Sequence, residues 1–261
     1  MPYKGKAKTF KAREGKQYNA SRYRAMTMRG QKVRSIGAYG NKGKMGRSYT
    51  QSMAWHGSPF PRELTTQITY AENLSITSTI GAPSNYLFSS NSLYDPNVSG
   101  TGTQPRFFDS ICGANNTNAP YQCYRVYGCK VTIECFPTGS DSTSMRGFIG
   151  IGNFGSSQSA CSSLSEMRAR SDYVSKPIGY WAGGTDFLKL SRYIRIKDLF
   201  GIKDMKDDED TASVYNNSPV KAGRIAISYI PFDETSTRTI QCLVKIRYYV
   251  QFFQRNDVSD S

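Results

Sequence analysis

From Pro59 and Pro61 onward, apolar and polar residues alternate with a period of two. In a strand that period sends successive side chains to opposite faces. The longest run places Ile240, Cys242, Val244, Ile246, Tyr248, Val250 and Phe252 on one face and Gln241, Lys245, Arg247 and Gln251 on the other. Leu243, Tyr249 and Phe253 interrupt the polar side, which predicts that it too is partly covered. A second run, Tyr127, Cys129, Val131, Ile133 and Cys135, alternates with Gly128, Lys130, Thr132 and Glu134. The same step of two reaches back to Cys123, so Cys123, Cys129 and Cys135 are predicted on one inward face as small hydrophobes. At ~3.3 Å per residue, each sits ~20 Å from the next along the strand, too far for a disulfide.

Similar alternation marks Leu64 to Ile80 (Ile68, Tyr70, Leu74, Ile76, Ile80), Leu188 to Ile196 (Leu188, Leu190, Ile194, Ile196) and Ile225, Ile227 and Tyr229. Shorter candidates are Asn85 to Ser89, Met145 to Phe154 and Tyr173 to Ile178. About eight strands separated by turn-rich loops predict an all-β fold, a single eight-stranded antiparallel jelly-roll sandwich. One helix is expected at Ser163 to Arg170, where Ser163 and Glu166 have the spacing of a capping box. Two long loops, 90–120 and 203–222, are candidate contact surfaces.

The first fifty residues break this pattern. Glycines stand at 5, 15, 30, 37, 40, 43 and 46, and the only candidate helix starts at Asn19 and stops at Gly30. Lys4, Lys6, Lys8, Lys11, Arg13, Lys16, Arg22, Arg24, Arg29, Lys32, Arg34, Lys42, Lys44 and Arg47 face a single acid, Glu14, so this segment carries +13 of the chain's +14. Residues 51–261 are nearly neutral, with 20 bases and 19 acids. A cationic segment with almost no counter-charge stays extended and attracts polyanions, whereas a balanced apolar-rich body folds. The chain therefore divides into a basic, flexible N-terminal arm, 1–50, and a folded domain, 51–261. In the arm, Tyr3, Phe10, Tyr18, Tyr23, Tyr39 and Tyr49 are interleaved with the cations. Cations neutralise phosphates and rings stack on unpaired bases, so the fourteen Lys and Arg are the predicted nucleic-acid-binding residues. The cluster Lys4, Lys6, Lys8 and Lys11 also fits a nuclear localisation signal.

Other motifs weigh less. Gly150, Gly152 and Gly155 spell G-x-G-x-x-G, but a dinucleotide cradle needs alternating strands and helices, and glycines at a tight strand end are the better account. Asp204, Asp207, Asp208, Glu209 and Asp210 offer hard oxygen ligands without the ordered spacing of a calcium loop, so a solvated loop is expected and no metal. His56 is the single histidine and no C-x-x-C occurs, which leaves no triad, redox pair or zinc set to build. No catalytic residue and no cofactor is expected. No apolar run reaches the ~18 residues of a membrane span, so no membrane insertion is expected.

Leu93-Tyr94-Asp95-Pro96-Asn97, then Gly100-Thr101-Gly102-Thr103-Gln104-Pro105, and after a gap Tyr121 to Phe136, resemble the capsid proteins of circovirus-like, small circular single-stranded DNA viruses. The resemblance extends to the basic arm, the Lys-Leu-Ser-Arg-Tyr run at 189–193, Asn217-Ser218-Pro219 and the last strand. It implies a jelly roll, sixty copies in a T=1 icosahedral shell, and an inward-facing arm on a single-stranded DNA genome. It also implies a place in the virion, passage through the host nucleus by an import receptor, and a host-cell receptor. The arm departs from the arginine-dominated arms of that family in mixing eight Lys with six Arg, and the chain lacks the Cys and His zinc set of geminivirus coat proteins. The competing readings are a non-assembling basic nucleic-acid-binding protein and a β-sandwich enzyme or lectin with a targeting tail.

Overall fold

The computed structural model describes residues 60–78, 82–100, 103–114, 118–136, 147–178, 188–232 and 237–256. The arm, its candidate helix, His56 and Ile80 lie outside them.

Nine strands follow one another: β1 (Leu64–Thr77), β2 (Ser84–Ser89), β3 (Tyr121–Phe136), β4 (Gly147–Gly155), β5 (Tyr173–Ile178), β6 (Leu188–Arg195), β7 (Ala212–Val214), β8 (Gly223–Pro231) and β9 (Thr239–Arg255). Each predicted run contributes a strand within the described residues, with Met145, like Ile80, lying outside them. One sheet runs β1-β9-β3-β6 and the other β2-β8-β4-β5, every pair antiparallel. Two four-stranded sheets with this crossed order make the eight-stranded jelly roll. The ninth strand, β7, adds three residues beside β3.

Between the sheets, Val131, Ile133, Val244, Ile246, Tyr248 and Phe252 from one side meet Ile149, Ile151, Ile225, Ile227 and Tyr229 from the other, all fully buried. Each such side chain contributes about 1.5–3 kcal/mol by leaving water, which holds the two layers together.

The cysteine expectation needs one correction. The register of β3 against β9 slips between Val126 and Gly128, a bulge that leaves Tyr127 as the extra residue. A bulge reverses the alternation. Cys129 and Cys135 face the core opposite Tyr248 and Cys242, but Cys123 pairs with Phe253 on the other face, where its thiol donates to Gln254 Oε1 at 2.9 Å. All six cysteines are buried free thiols, and Cys135 Sγ lies 3.1 Å from Cys242 Sγ across the strands.

Three short helices decorate the sandwich: α1 (Phe108–Ile111), α2 (Leu164–Ala169) and α3 (Ile196–Phe200). Helix α2 is the predicted one; Ser163 Oγ accepts from the Glu166 amide, while Glu166 Oε2 accepts from the Ser162 amide and hydroxyl at 2.7 Å. Ile196, expected to end a strand, instead opens α3, which closes on Gly201 at φ 66. The segment 156–172 lies over the outer face of the second sheet. There Cys161, Met167 and Tyr173 form a small second core with Phe154, Ala226 and Ile230. Gly150 and Gly152 are interior strand positions, not a tight end. A Cβ on Gly152 would come within 2.3 Å of the Tyr173 ring and one on Gly150 within 2.8 Å of Met167 Sδ. These glycines make room for the covering segment.

Candidate nucleic-acid interface

The fourteen arm cations from Lys4 to Arg47 lie outside the described residues. What the structure adds is a second basic surface, on the body. Along β3, β6 and β9, the side chains that do not enter the core point to one open face. Register carries Tyr193, Lys130 and Arg247 across three strands as one row, with Lys245 two residues along β9, Arg195 two along β6 and Lys189 at its start. Lys130, Lys189, Arg195, Lys245 and Arg247 are all exposed. One acid shares the face, Glu134, which takes a 2.6 Å bond from Lys189. Arg195 has a loose pair with Asp198 at 3.8 Å. Lys130, Lys245 and Arg247 make no ion pair with any described residue.

Lys130 stands directly opposite Arg247. Like charges paired across strands destabilise a sheet, and a polyanion laid over the face would offset that cost. Between the cations lies an aromatic element. A Cβ on Gly128 would meet the Ile194 carbonyl at 2.6 Å and the Tyr193 hydroxyl at 3.0 Å, so only glycine lets the Tyr193 ring settle across β3. That ring, half exposed, rests edge-on against Tyr249 at 5.6 Å between centroids. Cations beside an open ring are the elements of a sequence-tolerant single-strand platform. Net charge concealed this surface, because summing residues 51–261 cancels one basic face against acids placed elsewhere. The clue in the sequence was that Lys130, Lys245 and Arg247 all occupy polar slots of alternating runs.

The remaining candidates are held largely by internal contacts. In the acidic cluster at 204–210, Asp208 and Asp210 lie 2.6 and 3.6 Å from the Lys221 ammonium, and Asp204 accepts from the Lys206 amide. A groove of about 1130 Å³ runs between α2 and the end of β6 past Arg170, Asp172 and Arg192. Arg170 there binds Asp172 at 2.6 Å, Glu166 at 3.1 Å and the Ser159 carbonyl at 2.9 Å, and Arg192 donates to the carbonyls of Ile151 and Asp172. The hydrogen bonds from Ser162 and then from Arg170 hold the Glu166 carboxyl down at about 2, and those from Arg170 lower Asp172 as well. Glu166, Arg170 and Asp172 thus form a structural clamp, beside which the buried Asn153 Oδ1 has no hydrogen-bond partner among the described residues.

The loop that carries Leu93 to Pro105 is anchored from beneath by a carboxylate on the inward face of β1. Asn97 Nδ2 lies 3.0 and 2.8 Å from the two oxygens of Glu72 and 2.8 Å from Tyr86 Oη, while the Gly100 amide donates to Asn97 Oδ1 at 2.9 Å. Tyr70 also donates to Glu72, and burial together with that carboxylate pushes the Tyr70 phenol well up.

No protein-family model matches the chain, and no curated protein matches it in sequence. Solved structures do. The chain is similar to the capsid protein of beak and feather disease virus, a circovirus, in a decameric crystal form: 16% identity, 74% of this chain and 100% of that one, TM-score 0.42. The 60-mer of the same protein matches at 13% identity over 77% and 98%, TM-score 0.38. The structure of cocksfoot mottle virus matches at 13% identity over 86% and 96%, TM-score 0.43.

Proposed function

We propose that this chain is a structural, non-enzymatic viral capsid protein that self-assembles around single-stranded DNA. In this reading residues 51–261 build an icosahedral shell of sixty copies, and residues 1–50 hold the genome through the fourteen Lys and Arg from Lys4 to Arg47. The open face bearing Lys130, Tyr193, Lys245 and Arg247 lies against the same nucleic acid. The observation that carries the reading is the charge asymmetry: a near-neutral jelly roll, an architecture of viral coats and lectins, has an arm of +13 and one uncovered basic sheet face. A lectin needs neither. The sequence resemblance to circovirus-like capsid proteins supplies the copy number, the DNA genome and the route through the nucleus.

Sixty arms would place about 780 positive charges inside one shell, a self-repulsion that only polyanion or strong screening offsets. Shells should therefore form readily with single-stranded DNA and be scarce at low salt without it, unless residues 1–50 are removed. Electron microscopy and light scattering of full-length and arm-deleted protein, each with and without DNA, test this. Monomers under all four conditions would replace the capsid with a non-assembling nucleic-acid-binding protein.

A further inference from the structure

A sheet edge left open invites a partner strand, and stable proteins shield such edges with charge, proline, bulges, shortness or a covering loop. Three of the four outer strands are shielded. Residues 96–99 cover β2, since the Ser89 amide donates to Pro96 O and the Val98 and Ser99 amides to Leu87 O. Strand β5 has six residues and includes Lys176 and Pro177. Strand β6 carries Lys189, Arg192 and Arg195.

Strand β1 has no proline, no bulge and no covering loop among the described residues, and its one charge, Glu72, is held on the inward face by Asn97 and Tyr70. Its fourteen residues pair with β9 without a register break, and no strand among the described residues lies on its other side. The Ser78 amide donates to Arg238 O at 2.7 Å, which sets the phase of the ladder. Even-numbered residues bond to β9, so from Gln67 to Ser75 the odd-numbered ones turn their N–H and C=O away from it. Those of Gln67, Thr69, Ala71, Asn73 and Ser75 bond to no described residue. From 67 to 75 the edge is about 30 Å long.

We propose that β1 is an interface between two copies of this chain, pairing antiparallel with its own counterpart across a two-fold axis near Ala71, so that two sheets become one of eight strands. The inference deepens the self-association in the preceding reading by naming where one contact is made. Self-pairing about Ala71 sets Gln67, Thr69, Ala71, Asn73 and Ser75 against one another on the outer face, where no charge repels itself, and on the inner face it sets Glu72 opposite the uncharged Tyr70 of the second copy. The basic columns of β9 and its counterpart end up three strand spacings, about 14 Å, apart, beyond a Debye length of about 8 Å at physiological salt. The arm fits the edge less well, having +13 and no alternating run.

Full-length protein freed of nucleic acid and held at high salt should sediment as a dimer. Amide exchange at Gln67, Thr69, Ala71, Asn73 and Ser75 should slow as concentration rises. Ala71→Lys and Ala71→Glu should each weaken the dimer at least tenfold, and an equimolar mixture should restore it, which shows that both variants fold. Amides already protected in the monomer would overturn the proposal, because the chain's own residues would then occupy the edge. So would an Ala71→Glu variant that dimerises and builds shells like the parent, which would leave the capsid reading standing. Dimers that respond to both substitutions while no shells form under any condition would support the interface and remove the capsid.

Discussion

At the scale of single residues, what decides a position is which face of a strand it occupies and what lies over it. Gly152 and Gly155 belong to the same glycine motif yet differ in surroundings, with the nearest contact of an added Cβ at 2.3 Å from the Tyr173 ring in one case and 3.9 Å from Phe200 in the other. Gly152→Ala should therefore cost about 1–3 kcal/mol through overpacking, and Gly155→Ala close to nothing, as read from urea midpoints. Equal losses would mean that the motif acts as a unit. The thiols give a second residue-level test. Burial pushes up the Cys112, Cys123 and Cys129 thiols, and the contact to Cys135, with burial second, does so for Cys242. A thiolate-selective reagent at mildly alkaline pH should label none of the six in the native protein and all six after unfolding. Rapid labelling of any one would place it outside the core.

At the scale of elements, two polar assemblies hold segments onto the sandwich. One is the clamp of Ser162, Glu166, Arg170 and Asp172 that docks 156–172 over β4 and β5. Its carboxyls have folded pKa values below the ordinary ones. Their contribution is fully present above an unfolded value of ~4.3 and is lost as pH falls toward the folded value, about 2 for Glu166. Pepsin digestion across pH 5 to 2, on the order of three units spanning that window, should make its first cut beyond the arm within 156–172; an earlier cut elsewhere in residues 51–261 would refute the clamp. The other assembly is Glu72 with Tyr70 and Asn97. Asn97→Ala removes the group that faces both carboxylate oxygens, and a buried acceptor left short of donors costs about 1–3 kcal/mol. The loss should appear in denaturation midpoints and as faster amide exchange at Val98 and Ser99, whose bonds to Leu87 depend on the loop staying down.

At the scale of the whole molecule, the two sheets differ: one is roofed by 156–172, and the other presents a cationic face that no described segment covers. If nucleic acid meets both the arm and this face, the salt dependence of binding divides between them. Each phosphate contact contributes ~0.7 to the slope of log affinity against log salt on single strands. Arm deletion should remove most of the slope, and Lys130→Ala with Arg247→Ala in the arm-deleted protein should lower the remainder by about one contact each. An unchanged remainder would show that the face takes no part.

The alternation of β3 and β9 determined an all-β fold from sequence alone, because a half-buried strand must repeat every two residues. The partition of charge, +13 in residues 1–50 against near neutrality in 51–261, is likewise legible in the sequence alone. Capping chemistry located α2, since Ser163 and Glu166 act within one turn. Only tertiary structure decided the rest. The bulge at Tyr127 put Cys123 on the face opposite Cys129, and nothing local announces an inserted residue. The three residues of β7 are too few to show a period. The basic face required register, which aligns Lys130 with Arg247 and Tyr193 although they are far apart in the chain. That β1 ends its sheet uncovered is a matter of topology: the same fourteen residues would be an interior strand if another strand lay beside them, and their own sequence would read the same.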